Sequence, residues 1–311
     1  MVDEFLKNYI QRPFRPYFYL EDLVGSDRIT EYFHKSISSS DNKMILEGGH
    51  AIASWHSANW DTLNTGYKTA RINFLMANGP IKDQVRYCEK LYKEMEKTLS
   101  ENGYEYLLFR VHTSDLPALQ TAQNNGFQVM DGLITLKSQG EWIPDNKIGT
   151  KIRLARKSDM ERAMQIARTS FIYDRFHTDP AIPDSVADEL HGRWILDSFA
   201  INTDERVLIA EGKDGIQGFL SYSLNSALSD SLGIRIMTII LLATHEGTRN
   251  KGVAKAMIEE AMNIVRKESY KVVLVGTQLR NSHATRLYEI LGFRMVDSSY
   301  TLRKLLKTEP I

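Results

Sequence analysis

The chain is poor in the features that usually place a sequence quickly. Its single cysteine, Cys88, excludes an intramolecular disulfide and cannot build a cysteine-based metal cluster. Cys88 sits in a helical pattern and reads as a small packing residue. Neither sign of charge dominates. Lys plus Arg and Asp plus Glu both number 39, so no nucleic-acid or membrane-surface partner is expected. Apolar runs stop at about ten residues, where a bilayer needs roughly 20. The start, Met1-Val2-Asp3-Glu4, has no basic segment followed by an apolar one, so no signal peptide is expected. These absences predict a soluble cytoplasmic protein. The 311 residues allow two modest domains with a well-buried core.

What the chain does have is Arg249-Asn250-Lys251-Gly252-Val253-Ala254, of the form Arg-x-x-Gly-x-Ala. The apolar run Ile234–Ala243 precedes it, and the helical pattern Val253–Arg266 follows. A strand, a tight turn and a helix start therefore meet at one point. Several backbone N–H groups converge there, with the positive end of the helix dipole behind them. Gly252 removes the Cβ that would hold a diphosphate away. The loop reads as a pyrophosphate cradle or, alone, as a plain surface turn with a glycine at a helix start. It is not a Walker loop, because Gly-Lys-Ser/Thr is missing, and its glycines lack the dinucleotide-binding spacing.

The flanking segments choose between those readings. Upstream, Ile152–Leu154 reads as a strand, and Asp159–Ala167 as a helix capped by Ser158. Tyr173–Pro183 reads as a polar, aromatic loop and Val186–Phe199 as a helix. Arg206–Glu211 and Gly218–Leu224 form a strand pair around Lys213-Asp214-Gly215. Downstream, Lys271–Thr277 is a second buried-strand pattern. Gln278-Leu279-Arg280-Asn281, a short helix Ser282–Leu291, Gly292-Phe293 and a closing strand to about Leu305 come next. Loop, strand, Asn, helix with a Tyr, Gly-Phe, strand: this order resembles the acetyl-CoA half of the GNAT superfamily of N-acetyltransferases, over about Ile152 to Leu305.

Lys137–Thr150 is polar, with Gly140, Pro144 and Gly149, and reads as a linker between two blocks. The blocks look like a diverged repeat. Gly126–Leu136 and Gly292–Leu302 share five of eleven positions at an offset of 166. At that offset Tyr288 falls on Ala122 and Asn281 on Asp115. Gly252 falls on Arg86, inside the amphipathic pattern Asp83–Leu99. The first block thus keeps the last helix and strand of the pattern but loses the phosphate loop and the hydroxyl. The expected fold class is α/β (α+β), with tandem GNAT-like domains of mixed, mostly antiparallel sheets flanked by helices. The expected division is 1–139 (a degenerate GNAT-like domain), 140–150 (linker) and 151–311 (the catalytic domain).

A narrower likeness spans about Trp60 to Leu305. Trp60-Asp61-Thr62 with Gly66–Ile72, Arg175-Phe176-His177-Thr178-Asp179-Pro180, Trp194, Gly276-Thr277-Gln278, Asn281, Ala284 and Leu287-Tyr288 are similar to segments of the dTDP-fucosamine acetyltransferase branch. That branch joins a short N-terminal GNAT-like domain to a catalytic one. The first sixty residues find no match in it. Leu63-Asn64-Thr65 stands where it tends to carry aromatic residues.

The resemblance implies acetyl-CoA as co-substrate and acyl transfer to a primary amine of a small molecule. The branch implies the 4-amino group of a nucleotide-linked deoxysugar. An aminoglycoside, an amino acid, a protein N-terminus, or a CoA sensor without turnover are the alternatives. The pyrophosphate would sit on Arg249, Asn250, Lys251, Gly252, Val253 and Ala254, with Lys255 near. The pantetheine arm would pair like an added strand with Leu241, Leu242, Ala243 and Thr244. The family carries a bulge there, with an N–H near Leu242 facing the thioester oxygen. Asn281 matches the pantetheine-bonding position and reads equally as a helix N-cap. Tyr288 matches the acid that protonates the departing thiolate and reads otherwise as a packing residue. With a thiol pKa of about 8.5, such help is worth about 10²-fold. The base is open among His177, Asp179, Glu211, His245 and a water relay, His177 having a near-neutral ordinary pKa. Arg175, His177 and Asp179 would line the acceptor pocket, Arg175 meeting a diphosphate. No metal or redox cofactor is implied, and a monomer or a homodimer is expected.

Overall fold

The computed structural model describes residues 5, 17–38, 42–45, 48–139, 150–200 and 204–306. In chain order the helices and strands are α1 (Glu21–Val24), α2 (Ser26–Ser38), β1 (Asn42–Ile45), β2 (Ala51–Ser57), α3 (Asn59–Thr65), β3 (Thr69–Ala77), α4 (Ile81–Glu101), β4 (Tyr106–His112), α5 (Leu116–Asn124) and β5 (Gln128–Ser138). Then come β6 (Lys151–Leu154), α6 (Met160–Arg168), α7 (Arg175–Thr178), α8 (Asp184–Asp197), β7 (Glu205–Gly212), β8 (Gly215–Ser223), α9 (Ser226–Leu232), β9 (Ile236–Thr244), α10 (Val253–Lys267), β10 (Val272–Gln278), α11 (Ser282–Ile290) and β11 (Arg294–Leu305). Among the described residues no helix is long and apolar enough to cross a membrane.

The chain forms two compact units, Met1–Gly132 with Ser298–Ile311, and Leu133–Asp297. In the first, β1, β2 and β3 run antiparallel, β3 pairs parallel with β4, and β4 pairs antiparallel with Ser299–Leu305 of β11. In the second, Leu133–Ser138 of β5 pairs antiparallel with β10, β10 runs parallel to β9, and β9, β8, β7 and β6 continue antiparallel. Each sheet is mixed and mostly antiparallel, as expected. The division differs from a break at residue 139, because the two closing strands are exchanged. The strand that ends the first block belongs to the second unit, and the strand that ends the chain belongs to the first. The supposed linker also begins later than its polarity suggests. Lys137 and Ser138 are strand residues opposite Leu274 and Val273, and of 140–150 only Thr150 lies within the described residues.

Period-3.6 burial places the long helices on the sheets. Cys88, Leu91, Tyr92, Met95 and Leu99 of α4 pack on alternate residues of β2, β3 and β4 in the first unit. In the second unit the inner face of α10 (Val253, Met257, Ala261, Met262, Val265) covers one side of the sheet, with Leu208, Leu220, Met237, Ile239, Val273 and Val275. Ala163, Ile166, Ala167 and Ile195 from α6 and α8 cover the other, with Val207, Ile209, Phe219, Leu241 and Ala243.

Strand β9 contributes to both faces in a way simple alternation forbids. Met237 and Ile239 lie on the α10 side, whereas Leu241 and Ala243 lie on the α6 side. The phase change is a bulge. Ser221 faces Leu241 and Tyr222 faces Ile239, so Ile240 is an extra residue on β9.

Candidate active site

The bulge splits the sheet. Parallel pairing of β9 with β10 ends at Ile239 opposite Val275, one residue before the bulge. Beyond it β9 keeps only β8, and its other edge is unpaired by strand. The direction of each amide follows from the pleat. Leu241 N–H donates to the Ser221 hydroxyl at 3.2 Å, and His245 N–H donates to the Gln217 carbonyl at 2.8 Å, both on the β8 side. The intervening amides of Leu242 and Thr244 therefore face the open edge.

A cleft of about 860 Å³ follows that edge. Leu242, Ala243 and Thr244 form one side, and Thr248, Arg249, Asn250, Gly252, Val253, Ala254 and Lys255 form its end. Gly252 has φ 80° and caps α10, and Asn250 has φ 62°. This left-handed backbone turns the chain sharply into the helix. The first intrahelical bond recorded at this end is Ala256 N–H to the Gly252 carbonyl, which leaves the amides of Val253, Ala254 and Lys255 in the unbonded first turn. The nearby ammonium groups are held elsewhere. Lys251 Nζ donates to the Gly247 carbonyl at 2.8 Å, and Lys255 Nζ is 3.7 Å from the buried Glu259.

The third wall is Asn281, His283, Ala284 and Leu287 of α11, and the fourth is Thr169, Ser170, Ile172 and Tyr173. Asn281 caps α11, its side-chain oxygen accepting Ala284 N–H at 3.2 Å, and the residue also lines the cleft. Arg280 ties the two walls together, with Nε 3.2 Å from the Tyr173 carbonyl and a terminal nitrogen 2.6 Å from the Thr178 hydroxyl.

Of the thirteen expected cofactor residues, Leu241, Lys251 and Tyr288 are not in the lining. The bulge turns Leu241 to the α6 side of the sheet. Tyr288 packs in the core, 4% exposed, its ring 5.5 Å from that of Phe293. Burial raises the phenol's pKa, which keeps it protonated.

Arg175, His177 and Asp179 are also outside the lining. Arg175 is buried, with its guanidinium 3.9 Å from the Phe176 ring. Asp179 is buried and accepts Ala181 N–H at 2.9 Å. His177 lies between two carboxylates, Nδ1 2.8 Å from Asp174 and Nε2 3.1 Å from Asp188. Burial alone would lower its pKa, but those carboxylates outweigh it and raise it. A ring engaged at both nitrogens has no lone pair for a substrate amine. Glu211 is gripped by Arg153 at 3.0 Å through both oxygens, and that bonding lowers its pKa. No Asp or Glu is among the lining residues, and His283 is their one imidazole. The sequence reading missed Thr169, Ser170 and Ile172, because its acceptor loop began at Tyr173, and His283, a lone histidine in a helix with no motif around it.

Among the described residues the first unit has no matching cradle. Only Asn78-Gly79-Pro80 separates β3 from α4, where eight residues separate β9 from α10. Pro80 occupies the cap position and carries no N–H.

Residues 162–293 match the family model for the acetyltransferase (GNAT) family. The second unit thus contains a GNAT acetyltransferase domain. Over 250 residues it is 23% identical to the spore coat polysaccharide biosynthesis protein SpsD of Bacillus subtilis (strain 168), covering 78% of this chain and 79% of that one. Its fold is shared with a GCN5-related N-acetyltransferase from Sphaerobacter thermophilus, at TM-score 0.58 and 14% identity over 90% of this chain and 86% of that one. It is also shared with a tandem GNAT protein from the clavulanic acid biosynthesis pathway, at TM-score 0.54 and 10% identity over 90% and 89%. At these identities the solved structures speak for the fold alone.

Proposed function

We propose that the cleft binds acetyl-CoA and transfers its acetyl group to the 4-amino group of a nucleotide-linked deoxysugar. The observation that carries the cofactor half is the opened edge of β9 running straight into the Gly252 turn. The pyrophosphate lies on the first-turn amides of α10, and the pantetheine amides pair with the β9 edge. The thioester oxygen then meets Leu242 N–H. The neutral amine attacks the carbonyl carbon, the oxyanion accepts from that N–H, the C–S bond breaks, and the sulfur leaves as a thiolate. The thiolate's proton is assigned to Tyr288, next to the lining residue Leu287, and this role requires its hydroxyl to reach the cleft from the core side. The amine's own proton leaves through water or His283, the groups that replace the carboxylate the lining lacks.

The acceptor half rests on the branch likeness and on the similarity to SpsD, a spore coat polysaccharide biosynthesis protein. The acceptor enters against Thr169–Tyr173, where Ile172 and Tyr173 are exposed apolar and aromatic surfaces for a deoxysugar or base. The test is acceptor-dependent thiol release from acetyl-CoA with a dTDP-linked 4-amino-4,6-dideoxysugar, against a control without acceptor. Release supports the reading. No release from protein shown to bind acetyl-CoA removes the sugar and leaves the cofactor, and a screen of other amines follows.

A further inference from the structure

We propose that Asp174, His177 and His191 form a site for one divalent transition-metal ion, which fastens the turn at α7 to helix α8 behind the cleft wall. The proposal does not depend on which amine is acetylated. Asp174 caps α7: its Oδ1 accepts the N–H of Phe176 at 2.7 Å and of His177 at 3.2 Å. Its Oδ2 is turned to two imidazoles, 2.8 Å from His177 Nδ1 and 3.5 Å from His191 Nε2. One donor atom from each of the three residues lies within 4.8 Å of the others.

The outer nitrogens decide what the inner ones are. His177 Nε2 is 3.1 Å from an Asp188 oxygen, and His191 Nδ1 is 3.1 Å from the Ala187 carbonyl. A carboxylate and a carbonyl only accept, so both outer nitrogens carry protons. In neutral rings the inner nitrogens are then lone pairs. Once the His177 proton is displaced, two lone pairs and the Asp174 oxygen face one another in a largely buried place, a donor set that suits a cation. A proton on His177 closes the 2.8 Å contact. It does nothing for His191, 2% exposed, whose 3.5 Å gap lies beyond the usual N–H···O range of about 2.7–3.2 Å. A zinc ion serves all three donors. Bonds of about 2.0–2.1 Å in a tetrahedron put neighbouring donors about 3.3 Å apart; the two gaps to the Asp174 oxygen bracket that value, and the donors all lie within 4.8 Å of one another.

The surroundings suit an ion as well. Metal-bound imidazoles donate their other N–H to a carboxylate or a backbone carbonyl, and here there is one of each. The rings of Phe171 and Phe176 stand 4.7 and 6.0 Å from that of His191, an apolar shell that strengthens the charge attraction. Two nitrogens and one oxygen leave a fourth position for water. The donors lie outside the cleft lining, which makes the ion a fastener of the acceptor wall. The spacing, three residues and then fourteen, has no zinc-motif form, and counting cysteines does not reveal it.

The test uses untagged protein purified without metal-affinity resin. Metal content is measured by plasma mass spectrometry, and chelator-stripped protein is titrated with zinc chloride against a chromogenic competitor. We expect about one zinc per chain and a higher Tm on adding zinc to stripped protein. His177→Gln and His191→Gln should abolish uptake. Asp188→Asn keeps all three donors and should weaken zinc about 10–100-fold. That variant decides the matter if a histidine variant fails to fold. Folded, stripped protein that takes up no zinc overturns the proposal, as does uptake unchanged in Asp188→Asn and in the folded histidine variants.

Discussion

Asp115→Asn should make the protein more stable in alkali while changing little in acid. Asp115 is the first unit's counterpart of Asn281. Each caps the helix that follows a parallel strand, accepting the N–H three residues on at 3.2 Å. They differ in charge. Asp115 is 1% exposed, and its Oδ2 has no hydrogen-bond partner among the described residues. Burial pushes its pKa up to about 8, against the smaller opposite pull of Ala118 N–H. The buried Cys88 thiol senses the carboxylate, which adds to the rise in its own pKa. In the unfolded chain the same carboxyl titrates near pH 3.9. Between about pH 4 and pH 8 the native state thus holds a proton that the unfolded state releases. The group's stabilisation is full below about pH 4, declines as pH rises, and levels off above about pH 8. A shift of about four pK units sets a ceiling of about 5–6 kcal/mol. Water entry and local relaxation reduce this to about 2–4 kcal/mol.

Asparagine keeps the cap oxygen and removes the charge. The variant should melt close to the parent at pH 4.5 and about 4–16 °C higher at pH 9, at roughly 2–4 °C per kcal/mol. Calorimetric melts of both proteins across that range are the assay. A Tm difference that does not change with pH would refute burial of an ionisable carboxyl as the cause.

Tyr288→Phe should lower kcat by about 10–100-fold with little change in the Kd for CoA, measured by calorimetry. An unchanged rate removes Tyr288 as the proton donor. Arg280→Ala breaks both ties to the Tyr173–Thr178 wall. It should raise the acceptor KM about 5–10-fold, leave CoA affinity alone, and be partly rescued by lysine. Ser221→Ala takes the acceptor from the Leu241 amide in the bulge. A cost of about 1–3 kcal/mol is expected in urea unfolding, together with a loss of rate if the bulge relaxes.

Much of the site was legible because its signals are local. A glycine that must turn left-handed before a helix, and an Asn three residues ahead of the N–H it caps, are written in adjacent residues. The structure places Gly252 and Asn281 in those conformations. What escaped depends on partners distant in the chain. The apolar run Ile234–Ala243 reads as one uniform strand, and Ile240 is marked as the extra residue only by its register against Ser221 and Tyr222. Arg175, His177 and Asp179 lie in the segment that the family likeness assigns to the acceptor, but Arg175 and Asp179 are buried and His177 is held by Asp174 and Asp188, all outside the cleft lining. The exchange of closing strands escaped for the same reason. The repeat at offset 166 makes β5 and β11 alike, so nothing in either sequence says which sheet each will join.

That likeness separates what belongs to the fold from what belongs to the chemistry. The first unit also has a bulge, at Asn73 of β3, since Ser54 faces Phe74 and Trp55 faces Ile72. Its parallel pairing with β4 likewise stops at Ile72, just before the extra residue. A bulged, splayed central strand is thus present in both units. Only the second has the long connection to its helix, Gly252 at the turn and a first turn of amides without a proline. Splaying alone leaves an edge with unpaired amides. In the function proposed above, the eight residues between β9 and α10 supply the anion site that turns such an edge into a place for an acyl carrier.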